Sequence, residues 1–169
     1  KDHYNFIQAA SIVANNLTNV NFVLCGDNII PHNRQLMSWI NEANLENHVH
    51  LLGRREDIHK IMPAFDLLVS SSKGEAFPNV LGEAMACEVP CVVTDVGDSA
   101  YIVGDTGMVV PPENPELLGK AIIQFLGSPK SERKRLGKLA RERVENHFSM
   151  DSIAQRYEDT YLRLFEKDL

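Results

Sequence analysis

Cysteine is scarce in this chain. Its 169 residues include three, Cys25, Cys87 and Cys91. An odd number, each within or beside an apolar segment, argues against a disulfide framework and for reduced, buried thiols in a cytosolic protein. Cys87 and Cys91 straddle a helix-to-strand turn. No His or Cys pair at zinc spacing accompanies them, so no metal site is expected. The sequence also lacks an apolar run long enough to cross a bilayer, and it lacks a signal-peptide pattern. It lacks an excess of positive charge: the net charge is −6, which argues against nucleic acid as the main partner. There is no GxGxxG fingerprint and no Walker lysine loop, so neither NAD binding nor ATP hydrolysis is indicated. No internal repeat or low-complexity segment is visible.

What is present is an alternation of short apolar runs with amphipathic stretches. Residues 21–25 (NFVLC), 48–52 (HVHLL), 67–70, 90–94 and 108–110 read as buried strands. Between them lie helical patterns. Phe6, Ala10, Val13 and Leu17 share a stripe over Asn5–Asn16, and Leu36, Ile40 and Ala43 share one over Arg34–Asn44. Trp39 lies off that stripe and reads as packing. Asn114, Pro115 and Glu116 are start signals for a helix whose inward face is Leu118, Ala121, Ile122 and Phe125. A charged helix follows from Lys130, with Leu136, Ala140 and Val144 as its apolar stripe. A solvated face is the main reading of it, and contact with an anionic membrane surface the minority one. A last helix over Met150–Phe165 turns Ile153, Tyr157, Tyr161 and Leu164 inward. The pattern predicts one α/β domain over residues 1–169, a Rossmann-like parallel sheet with helices on both faces and right-handed crossovers. The chain opens on a helix where an α/β domain normally opens on a strand. The expectation is a fragment from which the first strand is missing.

Residues 66–97 (DLLVSSSKGEAFPNVLGEAMACEVPCVVTDVG) hold the candidate chemistry. They read as strand, polar loop, helix and strand, a βαβ unit with its loop at the carboxyl end of the first strand. With Asn79 as the cap, Val80, Leu81 and Gly82 open the helix and their N–H groups lack helical partners. Together with the helix dipole they suit an anion such as phosphate. Glu75 lies in the loop. Glu83 lies about one turn into the helix, and helical side chains lean back toward the amino terminus. Two carboxylates and bare N–H donors would then share one mouth, which suits sugar hydroxyls and a diphosphate. The plain alternative is a solvated loop Glu and a Glu that only complements the dipole. Arg54 and Arg55 follow a strand's carboxyl end, where open α/β sheets bind ligands. For them a solvated turn is an equal reading. His48 and His50 read as ordinary polar positions rather than as metal ligands.

The segment GEAFPNVLGEAMACEVPCVVTDVG resembles the donor-site signature of retaining GT-B glycosyltransferases of the family-4, or group 1, type. KDHYNFIQAA, FVLCGDN, VHLLGRREDI, TGMVVPPENPELLGKAI and ARERVENHFSMD are similar to the same domain, in the same order. The resemblance implies the donor-binding C-terminal half of a two-domain enzyme, with an N-terminal acceptor domain outside this sequence. It implies that Glu75 contacts the donor sugar near the reacting carbon. Backbone groups of Ala76, Phe77, Pro78, Asn79, Val80 and Leu81 would hold sugar hydroxyls and the diphosphate. Glu83 would hold the ribose, Lys1 the diphosphate, and Arg54 and Arg55 the border of the base. Gly26, after the first strand, joins this donor-binding set.

The expected activity is retaining transfer of a hexose from a nucleoside diphosphate sugar, in polysaccharide or glycolipid synthesis. No metal or other cofactor is expected. Expected partners are the nucleotide sugar, the acceptor domain and, as minority readings, a membrane surface or a lipid-linked acceptor. The expected location is the cytoplasm, including the inner face of the membrane. Two alternatives stay open: a GT-B sugar-nucleotide epimerase, and a non-catalytic α/β nucleotide-binding module.

Overall fold

The structure, a computed structural model, describes residues 1–167. Helix α1 (His3–Asn16) starts where Asp2 adopts a left-handed backbone, with φ 53°, and its carboxylate accepts the Asn5 N–H at 3.2 Å. Strand β1 (Phe22–Leu24) leads to α2 (Arg34–Glu42), capped by the Asn33 side chain, and then to β2 (Val49–Leu51). Next come the short α3 (Ile58–Ile61) and a 3₁₀ turn at Met62–Ala64, where Pro63 ends the regular helix. Strand β3 (Leu68–Ser70), α4 (Asn79–Ala86) and β4 (Cys91–Thr94) form the expected central unit. They are followed by α5 (Ser99–Val103), β5 (Met108–Val110), α6 (Pro115–Gly127), α7 (Lys130–His147) and α8 (Met150–Lys167).

All strand pairs are parallel, and side chains alternate between two cores. Leu67, Val69 and Val92 point to the face covered by α1, α2 and α6, where Ile7, Val13, Leu36, Ile40, Leu118 and Phe125 are buried. Leu68, Cys91 and Val93 point to the face covered by α4, α5 and α7, with Leu81, Met85, Ile102 and Ala140. Strand β4 is buried along its whole length, as expected for a parallel strand covered on both sides.

The expected parallel sheet is present, and among the described residues it consists of two hydrogen-bonded pieces, β1–β2 and β3–β4–β5. Helix α2 links β1 to β2 over one face, and α4 links β3 to β4 over the other. Right-handed crossovers on opposite faces step in opposite directions. Strands β2 and β4 therefore lie outward, and the free edges of β1 and β3 face each other. No ladder joins those edges among the described residues. The order reverses there, which is where open α/β sheets bind ligands beyond the strands' carboxyl ends.

Two local readings are corrected. Asn79 is the first residue of α4 and Pro78 occupies the cap position. In α8, Tyr157, Tyr161 and Leu164 are exposed rather than inward, because no described residue other than those of α7 packs substantially against that helix. Of the basic side chains on α7, Arg133 donates to the Leu126 and Ser128 carbonyls at the end of α6, and Arg143 to the Tyr101 and Ile102 carbonyls. Arg135 and Arg141 pair with Glu132 and Glu145 on their own helix. His48 donates Nδ1–H to the Val20 carbonyl and His50 Nε2–H to Asn21, each at 2.9 Å. Both histidines therefore serve structure.

Candidate functional site

The site begins where β3 ends. Thr94, buried on β4, donates its hydroxyl to the Ser72 carbonyl at 2.5 Å, with the Ser70 carbonyl at 3.3 Å. This ties the start of the loop to the neighbouring strand. The Ser71 hydroxyl lies 3.1 Å from the Lys1 carbonyl and 3.2 Å from that of Asp2. The first residues of the chain are thereby fixed over the end of β3.

This fixation sets the Lys1 ammonium against Glu75 Oε1. The Ser72 hydroxyl donates to the same oxygen at 2.7 Å, and Oε2 has no protein partner among the described residues. Burial pushes the Glu75 carboxyl up. The hydrogen bonds from Lys1 and Ser72, with the charge of Lys1, outweigh it, so the net shift is downward. Glu75 is thus a held carboxylate with one oxygen left without a partner among the described residues. It is largely buried, with 13% side-chain exposure, while the Lys1 side chain is 61% exposed.

The loop backbone is gripped from beyond β4. The Asp98 N–H donates to the Ala76 carbonyl at 2.9 Å. Gly97 has φ 52°, and a Cβ there would lie about 2.5 Å from the Ala76 oxygen and as close to that of Glu75. Only glycine fits both this backbone and this approach. Phe77 is exposed at the loop's outer side, whereas Pro78 is buried beneath it.

The loop leads into the tip of α4. Because Pro78 is the cap, the tip is displaced by one residue from the expected position. The Leu81 N–H is taken by the Pro78 carbonyl at 3.1 Å. The amides of Asn79 and Val80 are left as the donors without helical partners. The Leu81 side chain is wholly buried and contributes packing. Glu83 is the fifth helical residue, exposed, and free of hydrogen bonds and ion pairs to described residues.

The remaining candidates cluster at the ends of β1 and β2. The Gly26 N–H donates to the Gly53 carbonyl at 2.9 Å. Arg54 lies 3.6 Å from Asp27, with both side chains exposed. Arg55 makes two 2.8 Å bonds to Asp57, so its guanidinium is engaged. Lys1 and Glu75 are therefore in contact, and the loop that carries Glu75 leads into the α4 tip. Gly26, Arg54 and Arg55 form a second group at the same carboxyl-terminal edge, joined to the first by no hydrogen bond or ion pair. A cavity of about 540 Å³ opens beside α1, lined by residues that include Tyr4, Trp39, Lys73 and Glu113. Glu75 is not among them.

Sequence reasoning missed Ser71, Ser72, Thr94 and Asp98. The serines were visible only as loop-forming residues. Both residues are buried, and their hydroxyls are aimed at carbonyls 69 and 70 positions away in one case and at Glu75 in the other. Chemically, the arrangement presents a deprotonated carboxylate, an ammonium and two helix-tip amides. Such a set suits a ligand that carries both hydroxyls and a diphosphate.

Known proteins share this arrangement of elements. Over 148 residues the chain is 30% identical to N-acetyl-alpha-D-glucosaminyl L-malate synthase of Bacillus anthracis, covering 86% of this chain and 38% of that protein. Over 166 residues it is 25% identical to the Escherichia coli UDP-Gal:alpha-D-GlcNAc-diphosphoundecaprenol alpha-1,3-galactosyltransferase, covering 96% of this chain and 42% of that protein. The crystal structure of Anabaena HepE in complex with UDP-glucose superimposes with a TM-score of 0.82 and 26% identity, over 96% of this chain and 45% of HepE. The chain spans less than half the length of each. The family model for glycosyl transferases group 1 matches residues 1–143, and the chain belongs to that family.

Proposed function

We propose that this chain supplies the donor site of a retaining hexosyltransferase that uses a nucleoside diphosphate sugar. The observation that carries the reading is the pairing of Lys1 with Glu75, on the loop that runs from the end of β3 into α4. Support comes from the printed names of the relatives. One is a galactosyltransferase with a UDP-linked donor, and the structural neighbour holds UDP-glucose.

In the proposed reaction the bond between the anomeric carbon and the diphosphate oxygen breaks, and its electron pair leaves on the diphosphate. The acceptor hydroxyl oxygen forms the new bond on the same face of the sugar, and its proton passes to the departing diphosphate. Negative charge grows where the Lys1 ammonium and the Asn79 and Val80 amides point, which is electrostatic stabilisation without a metal. The free oxygen of Glu75 orients the sugar and stabilises the positive charge that builds at the anomeric carbon. Glu83 takes the ribose hydroxyls, and Arg54, Arg55 and Gly26 border the base. The acceptor domain belongs to the remainder of the protein. The acceptor is a growing polysaccharide or glycolipid, including lipid-linked forms, met at the cytoplasmic side of a membrane. No helix among the described residues is long and apolar enough to cross one.

A panel of UDP-, GDP- and ADP-sugars, read by thermal shift on the full-length protein, tests the reading. One donor class should raise the melting temperature, and that shift should shrink in Glu83→Ala. No shift with any donor would overturn it.

A further inference from the structure

We propose that Phe148, at the junction of α7 and α8, is a positioning residue that holds the Glu75 loop in place. Its ring meets Phe77 of that loop edge-on, with centroids 6.0 Å apart and planes at 62°. It meets Tyr101 of α5 at 5.7 Å and 88°. The Arg143 guanidinium lies over the same ring at 5.9 Å.

The ring is itself fixed. Phe148 is the C-cap of α7, and its N–H donates to the Val144 carbonyl at 2.9 Å. The next residue, Ser149, caps α8 by accepting the Ser152 N–H at 3.2 Å. Arg143 donates to the Ile102 carbonyl at 2.8 Å and the Tyr101 carbonyl at 2.5 Å. It packs flat on Gly104, where a Cβ would lie 2.7 Å from the guanidinium carbon. The last turn of α7 is therefore joined to the end of α5. Just before α5, the Asp98 N–H donates to the Ala76 carbonyl, and Gly97 lets the backbone pass close to the Glu75 and Ala76 carbonyls. The loop is held at its backbone by that contact and at the Phe77 side chain by the Phe148 ring.

Phe77 is 47% exposed and Tyr101 55% exposed. The loop side of this cluster therefore buries little apolar surface, and its geometry rather than its burial fixes Phe77. An aromatic pair of this kind shifts an equilibrium by about two- to tenfold beyond the effect of area. That is enough to change how often Glu75 stands in its working position, with no contact between Phe148 and a ligand. The functional consequence rests on the donor-site reading of the loop.

The test uses Phe148→Leu, Phe148→Tyr and the Phe77→Leu/Phe148→Leu pair in the full-length protein. Amide hydrogen exchange is followed at Asp98 and Leu81, whose N–H groups donate to the Ala76 and Pro78 carbonyls of the loop, and at β4 as an internal standard, together with donor kinetics. In Phe148→Leu, exchange at Asp98 and Leu81 should rise about two- to tenfold with β4 unchanged. Turnover with the donor should fall by a similar factor. Phe148→Tyr should restore both, and the double variant should be no worse than either single one. Unchanged exchange at Asp98 and Leu81, or a rise shared equally with β4, would overturn the proposal. A local rise without any change in donor kinetics would uphold the positioning and reject the donor-site reading of the loop.

Discussion

Glu75 behaves as two half-groups. One oxygen is occupied by Lys1 and Ser72, and the other has no partner among the described residues. Because its folded pKa is lowered, the pairing contributes stability that is present above the ordinary glutamate value of 4.5 and is lost as pH falls through the folded value. Denaturant titrations of wild type and Glu75→Gln should therefore run parallel from about pH 6 upward and converge as the pH drops below 4.5. Parallel curves at all pH values would refute the pairing. Cys91 presents the opposite case: burial alone pushes its thiol up to about 12. A thiol reagent should modify Cys25 and Cys87, both half-buried, in the native protein and reach Cys91 only on unfolding. Its raised pKa also means that stability falls as pH rises above the ordinary thiol value of 9.0, since the unfolded thiol ionises first. None of the buried hydroxyl contacts around Glu75 was legible in the sequence. A Ser in a polar loop carries no local sign of the distant carbonyl or carboxylate it will meet.

Among the elements, α4 positions the candidate chemistry, and its other end is held by α7. Gly137 of α7 lies against the Glu88 carbonyl with no room for a Cβ, and Glu88 itself has φ 61°. Gly137→Ala should push α7 off α4 and cost about 1–3 kcal/mol, the usual range for overpacking. A melting temperature within a degree of wild type would show that the two helices can separate freely. The βαβ unit was legible because its strands are continuous apolar runs and its helix has a period of 3.6. The cap was misplaced by one residue: Asn79 has the better capping side chain, yet Pro78 holds the extended backbone that precedes the helix. The inward face expected for α8 was misassigned for another reason. Periodicity identifies an apolar stripe, but it does not say whether anything covers it.

For the whole molecule, the alternation of strands and helices fixed the class and both helical layers. The division of the sheet was not legible, because strand composition does not encode which edge pairs with which. What α2 and α4 on opposite faces do set is the direction in which each piece of sheet grows. That same arrangement brings the residues after β1, β2 and β3 to one edge, and it makes Lys1 a neighbour of Glu75 across 74 positions of sequence. Ribose recognition is the peripheral part of the account. Glu83→Ala should weaken nucleoside diphosphate binding about tenfold or more, as expected for lost charge-assisted hydrogen bonds of about 1.5–3 kcal/mol. Titration calorimetry of the full-length protein would measure it.

The centre of the account is the role of Glu75 at the reacting carbon. Its most direct test is the rate of sugar transfer by full-length Glu75→Gln at saturating donor. The account predicts a loss on the order of 100-fold or more, in line with removing one preorganised electrostatic group, with nucleoside diphosphate affinity retained. Transfer at the wild-type rate would contradict it.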